Sequence, residues 1–210
     1  MDAVLKSKIS SPNEWAVSIG KSGSTYFVSA PLEGSSGSGS IPPVPSGDFY
    51  AHGHSHPNNS SGVPSSGDLY NFLEQAKNIT TLQTMYVYGS GWNGSTEVYA
   101  INVSDRAAIS AFLTQYPKSS NWTGSFSNSF AGDVQIAYQA AYAMYNSGQY
   151  NNNGATYPYY IDAVALSYIM SQLNMGVTFS RKVDNASFNI ISAMKQTSGG
   201  NTILNINTCN

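Results

Sequence analysis

All three histidines of this chain fall in one short run, His52-Gly53-His54-Ser55-His56, and Pro57 follows at once. A cluster that tight constrains the backbone beneath it. In an extended strand, side chains two apart leave the same face, so His54 and His56 point together. Pro57 cannot donate to a ladder, which ends the strand and turns the chain right after the pair. A polar loop of Asn, Ser, Gly, Val and Pro leads to Ser65 and Asp68, and Asp68 opens a helical pattern with Leu69, Phe72, Leu73 and Ala76 on one face. Two imidazoles at a strand end and a carboxylate at a helix start make three ligands. That is the number a catalytic Zn²⁺ site takes from its protein while keeping a fourth position for water.

The run His54-x-His56-Pro57 with Ser65-x-x-Asp68 resembles the signature of the JAMM (MPN+/JAB) zinc metallopeptidases, and among them the bacterial JAB-like branch. That signature is His-x-His, a spacer of seven, then Ser-x-x-Asp. The spacer here, residues 57 to 64, is one residue longer, and the likeness spans about fifteen of the 210 residues. The resemblance implies Zn²⁺ held by His54, His56 and Asp68, with Ser65 supporting the water or the developing oxyanion. It also implies a general acid/base glutamate well upstream, a place that Glu14 fills by position and order. Glu33 is the other upstream candidate.

Other roles stay open for several of these residues. Ser-x-x-Asp at a helix start is also a relative of the capping box, in which Ser65 would satisfy an orphan N–H. Glu14 also reads as an exposed strand-end residue. His52 faces the same way as His54 but lies outside the motif, which suits a structural or supporting role. Asp48 is placed either to support a ligand histidine through a hydrogen bond or simply to sit in a loop. A plain histidine cluster, His52 included, could store metal without catalysis. An iron site of two histidines and a carboxylate fits the ligand types as well, although the motif context favours zinc.

Only 10% of residues are charged and the net charge is −2, with no cluster of Lys or Arg. A nucleic-acid partner therefore has no electrostatic footprint. The single cysteine, Cys209, precludes an internal disulfide and a cysteine-based zinc site. No apolar run reaches membrane-spanning length, and the N-terminus lacks the core of a signal peptide. Low charge with abundant Ser, Asn and Tyr is commoner in exported or phage-tail-like proteins, so the chain is expected to be exported or part of a larger secreted or phage-like protein. Sequons such as those at Asn78 and Asn121 are what chance supplies in a chain this rich in Asn and Ser.

Taken in order, Glu14 to Ile19 and Thr25 to Ala30 predict a β-hairpin turning at residues 20–24. Residues 34–40, rich in Gly and Ser, read as a flexible loop. Ile41-Pro42-Pro43-Val44-Pro45 reads as extended, polyproline-like chain. The histidine strand follows, then a helix over 68–77, a second hairpin of strands 82–88 and 96–102, and a helix capped by Ser104-Asp105 that runs to Tyr116. Residues 117–132 show no period and read as a linker or long loop. Beyond them, amphipathic patterns predict helices around Val134 to Tyr145 and Ile161 to Leu173, with a loop at 151–154 between them. A shorter helix is expected over 184–195 and a last strand over 202–207.

The expected fold is therefore α/β, a JAB/MPN-like mixed β-sheet flanked by helices, with a C-terminal helical extension. Residues 1–116 would form the metallopeptidase core and 117–210 the mainly helical part packed on it. The expected activity is zinc-dependent hydrolysis of a peptide or isopeptide bond, with a peptide or protein substrate. Two other classes are consistent with the chain: a catalytically silent binding module of the same fold, and a toxin or effector domain of a larger secreted protein.

Overall fold

The computed structural model describes residues 1–91, 94–124, 129–152, 160–198 and 200–209. The protein is mixed α/β, with six helices and ten strands among the described residues. The strands follow the order β2-β1-β4-β5-β6-β8-β9-β10-β7, with β3 on β1. The chain divides into two compact units that interleave in sequence. One comprises Met1–Val63, Asn78–Val103 and Arg181–Ser187; the other comprises Pro64–Lys77, Ser104–Ser180 and Phe188–Asn210.

In the first unit, β1 (Trp15–Ser22) and β2 (Thr25–Val28) form the expected hairpin, and Gly23 takes the left-handed conformation its turn requires. β3 (Leu32–Glu33) adds to the same edge of β1. β4 (Asp48–Ser55) lies antiparallel on the other side of β1, with an irregularity between Ile19 and Gly20. β5 (Thr84–Ser90) runs parallel to β4, and β6 (Thr96–Val103) runs antiparallel to β5. The short helix α1 (Asp2–Lys6) places Leu5 against Val17, Tyr88 and Val98 in a buried cluster. Gly53 makes room for it. A Cβ at that position would stand 3.1 Å from Leu5 Cδ1 and 3.2 Å from Met1 Sδ. The glycine between two histidines thus belongs to the packing on the opposite face of β4.

The second unit contains α2 (Ser66–Asn78) up to Lys77, α3 (Arg106–Gln115), α4 (Lys118–Asn121), α5 (Gly132–Asn146), β7 (Tyr150–Asn151) and α6 (Ile161–Gln172). Every residue from Ala163 to Met170 of α6 is buried, so this helix has no solvent face. Ser167 pins it to β9 (Asn189–Ser198): its Oγ donates to Ile191 O at 2.9 Å and accepts from Ala193 N at 3.0 Å. β10 (Asn201–Cys209) pairs with β9 along its length. β8 (Val177–Val183) is divided, its residues up to Ser180 in this unit and the rest in the first.

The helix expected over 184–195 does not form. Residues 189–198 are strand β9, and the C-terminal part expected to be mainly helical holds β8, β9 and β10 after the helices α5 and α6. The strand at 202–207 is present within β10. Residues 117–132 are no featureless linker either. They hold α4 and a bridge between Trp122 and Phe130; residues 125–128 lie outside the described part. The same holds for 92–93 in the turn of the second hairpin, and for Asn153 and Gly154 of the loop expected at 151–154.

Candidate metal centre

The centre starts from β4. Its partner register sets Ala16 opposite His54 and Ser18 opposite His52, while Gly53 faces α1. His52 and His54 therefore share the face turned away from that helix. Both are buried, His54 to 8% exposure. Little bulk water reaches His54, so a ligand bond made there faces weak competition.

His56 stands one residue past the strand and is half-buried. Its N–H donates to Tyr88 O at 2.8 Å, continuing the ladder to β5. Its Nδ1 lies 2.7 Å from the carbonyl oxygen of Ser61. A carbonyl only accepts, so Nδ1 carries the proton, and a neutral ring then has its lone pair on Nε2. The His54 and His56 rings are 5.2 Å apart between centroids and tilted by 46°. They face one region without stacking.

Asp68 comes from the first turn of α2, and a reciprocal cap fixes it. Ser65 N donates to Asp68 Oδ2 at 2.8 Å, and Asp68 N donates to Ser65 Oγ at 3.0 Å. This is the capping-box geometry, with aspartate in place of the usual glutamate. It confirms the capping role of Ser65 and shows how the sequence orients the carboxylate. The next residue, Ser66, is fully buried and its Oγ accepts from Trp122 Nε1 at 3.1 Å and from Ser129 N at 3.2 Å. The segment read as a linker therefore anchors the start of the helix that bears Asp68.

Ligand atoms of His54, His56 and Asp68 all lie within 4.8 Å of one another, and the three side chains form a group that could hold a metal ion. The donor chemistry fits: two neutral imidazoles and a carboxylate suit several divalent transition metals. His52 is not part of the group.

Glu14 immediately precedes β1. Continuing the β1–β4 register by one residue sets it across from His56, on the face of Ala16 and His54. Its backbone is held on the other side, with Glu14 N donating to Ser35 O at 2.9 Å and Gly34 N to Glu14 O at 2.8 Å. Glu33 pairs with Trp15 and accepts from Asn13 Nδ2 at 3.1 Å, which places it on the opposite face from His54.

The Gly/Ser segment 34–40, expected as a flexible loop, belongs to no helix or strand and contains a turn. Ser35 N donates to Ser38 O at 2.8 Å, and a Cβ on Gly39 would sit 3.2 Å from Glu14 Oε2 and 4.0 Å from the Ala16 Cβ. The proline-rich stretch continues along the same face of β1. Ser18 Oγ donates to Pro43 O at 3.0 Å, and Gly20 lies directly under the Ser46 backbone. Residues 39–46 thus form a strap along β1 beside the histidine strand.

Sequence reasoning missed the Ser61 carbonyl, Ser66, Trp122 and the strap. A backbone carbonyl has no residue signature, Trp122 is far from the histidines in sequence, and an extended proline-rich stretch does not itself show which strand it will lie along. Among the described residues, no helix is long and apolar enough to cross a membrane. Compared with protein-family models, with curated proteins and with solved structures, the chain matches none.

Proposed function

We propose that this protein is a zinc-dependent hydrolase of the JAMM type that cleaves a peptide or isopeptide bond. The observation that carries the reading is the convergence of His54, His56 and Asp68 within 4.8 Å, on elements that separately fix each ligand. When bound, zinc would supply Lewis acidity toward a water and an amide carbonyl. The chain's own residues supply the remainder. The Glu14 carboxylate accepts a proton from the attacking water as the new C–O bond forms. It returns that proton to the leaving nitrogen as the C–N bond breaks. Ser65 Oγ already accepts from Asp68 N, so its own O–H is the group it can offer to the oxyanion.

The test is metal analysis joined to cleavage of peptide and isopeptide libraries, with and without a chelator. The purified protein should hold about one zinc, and cleavage should stop on chelation and return with zinc. His54→Ala or His56→Ala should abolish stoichiometric zinc, whereas His52→Ala should keep it. A zinc-loaded protein inert toward every library would favour the silent binding module. Loss of zinc in His52→Ala alone would mean the ligand set is wrong.

A further inference from the structure

The Ser61 carbonyl that holds His56 is itself positioned by two glycines set back to back. After Pro57 the chain reverses through Asn58 and Asn59, at φ of 55° and 56°, and Ser60 N donates to Pro57 O at 2.9 Å. Two consecutive left-handed residues mark a type I′ turn, and asparagine tolerates that conformation. The returning segment then lies along the end of β5. Ser90 N donates to Ser60 O at 2.8 Å, and Ser61 bridges Ser90 in parallel.

This approach is possible only because residues 62 and 89 lack side chains. A Cβ on Gly89 would overlap Gly62 N and Ser60 O and lie 2.5 Å from the Ser61 carbonyl carbon. A Cβ on Gly62 would lie 2.8 Å from Gly89 N and 3.0 Å from Glu97 O. The obstacles are backbone atoms, and since residues 89 and 97 belong to the paired strands β5 and β6, the returning segment would have to move. It carries the Ser61 oxygen that the His56 ring donates to.

We infer that Gly62 and Gly89 are positioning residues for the metal centre: their contact fixes the Ser61 carbonyl, which holds His56 as the Nδ1–H tautomer with Nε2 facing the other ligands. The inference rests on the metal-site reading for its consequence, but the tautomer is a property of the metal-free chain. A carbonyl that orients a ligand imidazole typically changes metal affinity by about 10- to 100-fold.

The experiment uses the full chain and two readouts. Imidazole nitrogen NMR on the metal-free protein reports the His56 tautomer, and competition with a chromophoric chelator reports the affinity for zinc. Wild type should show the Nδ1–H form. Gly89→Ala should shift His56 toward the other tautomer or an exchanging mixture, and weaken zinc binding by about 10- to 100-fold. Asp105→Ala, which removes the cap of α3, injures the fold elsewhere and should move neither readout. If a folded Gly89→Ala protein keeps the wild-type tautomer and zinc affinity, the inference is overturned. Should Gly89→Ala not fold, Gly62→Ala, whose obstruction is milder, undergoes the same two measurements and decides. If wild type binds no zinc, the metal reading falls, and the tautomer shift still judges the glycine pair.

Discussion

Exchanging Glu14 for glutamine keeps the shape and hydrogen-bonding capacity of the side chain and deletes only the proton acceptor. Its consequence for zinc content and melting temperature should be slight, because the backbone bonds by which Glu14 joins the strand edge are unchanged. Hydrolysis should fall by about two to four orders of magnitude. Glu33→Gln should change little, since register puts that side chain on the far face with Asn13. Steady-state rates of the two variants on one confirmed substrate, beside their melting curves, check the assignment; full activity in Glu14→Gln would end it. The group of His54, His56 and Asp68 was legible in the sequence because its geometry is local: a strand's period of two aligns His54 with His56, and a four-residue cap orients Asp68. The place of Glu14 was not legible in that way. Its position opposite His56 depends on a β1–β4 register that spans some forty residues, and order along the chain only hinted at it.

At the scale of elements, the start of α2 matters most, because it both caps a helix and carries Asp68 of the group that could hold a metal. Ser65→Ala removes the acceptor for Asp68 N and should cost about 1 kcal/mol in a urea melt. It should also weaken zinc binding, since the capped turn no longer fixes the carboxylate. A variant that melts lower yet binds zinc as tightly as wild type would reduce the cap to a folding device. The strands at the C-terminus show why elements can be misread. In β9, Ile191 and Ala193 are buried while Ile190 and Met194 are exposed, so apolar residues stand on both faces. The spacing Ile190, Ile191, Ala193, Met194 then imitates a helical stripe, and Ala, Met, Lys and Gln in succession are good helix formers. Pairing with β10 decides the outcome, and that pairing is not local. By contrast α6 was legible because its apolar residues run too long and too densely for a strand.

For the whole molecule, two buried features set the conditions under which it stays folded. Burial first, and then the nearby carboxylates of Glu74, Asp2 and Asp162, push the hydroxyls of Tyr70, Tyr88 and Tyr138 above the ordinary tyrosine range. Below a pH of about 10 these phenols are protonated in both folded and unfolded chains, so their contribution is fully present. As pH rises past that value, the unfolded chain ionises first and stability is lost. Unfolding free energy should therefore decline above about pH 10, with part of the tyrosinate absorbance appearing only as tertiary structure disappears. A smooth titration of every tyrosine with the fold intact would contradict this. The second feature is Glu97, fully buried, which accepts from Tyr99 Oη at 2.8 Å and forms an ion pair with Arg181, itself 5% exposed. Arg181→Met leaves that carboxylate buried without its counter-charge and should cost about 3–5 kcal/mol, read from denaturant melts. A cost under about 1 kcal/mol would contradict this. The same pair has a meaning for biosynthesis. Arg181 follows Glu97 by 84 residues, so at roughly 5–20 residues per second a ribosome needs about 4 to 17 seconds to deliver the counter-charge. Because Arg181–Ser187 completes a unit that began with Met1, a nascent chain halted at residue 180 should be captured by chaperones and cut by protease, and one extended past residue 187 should begin to resist both.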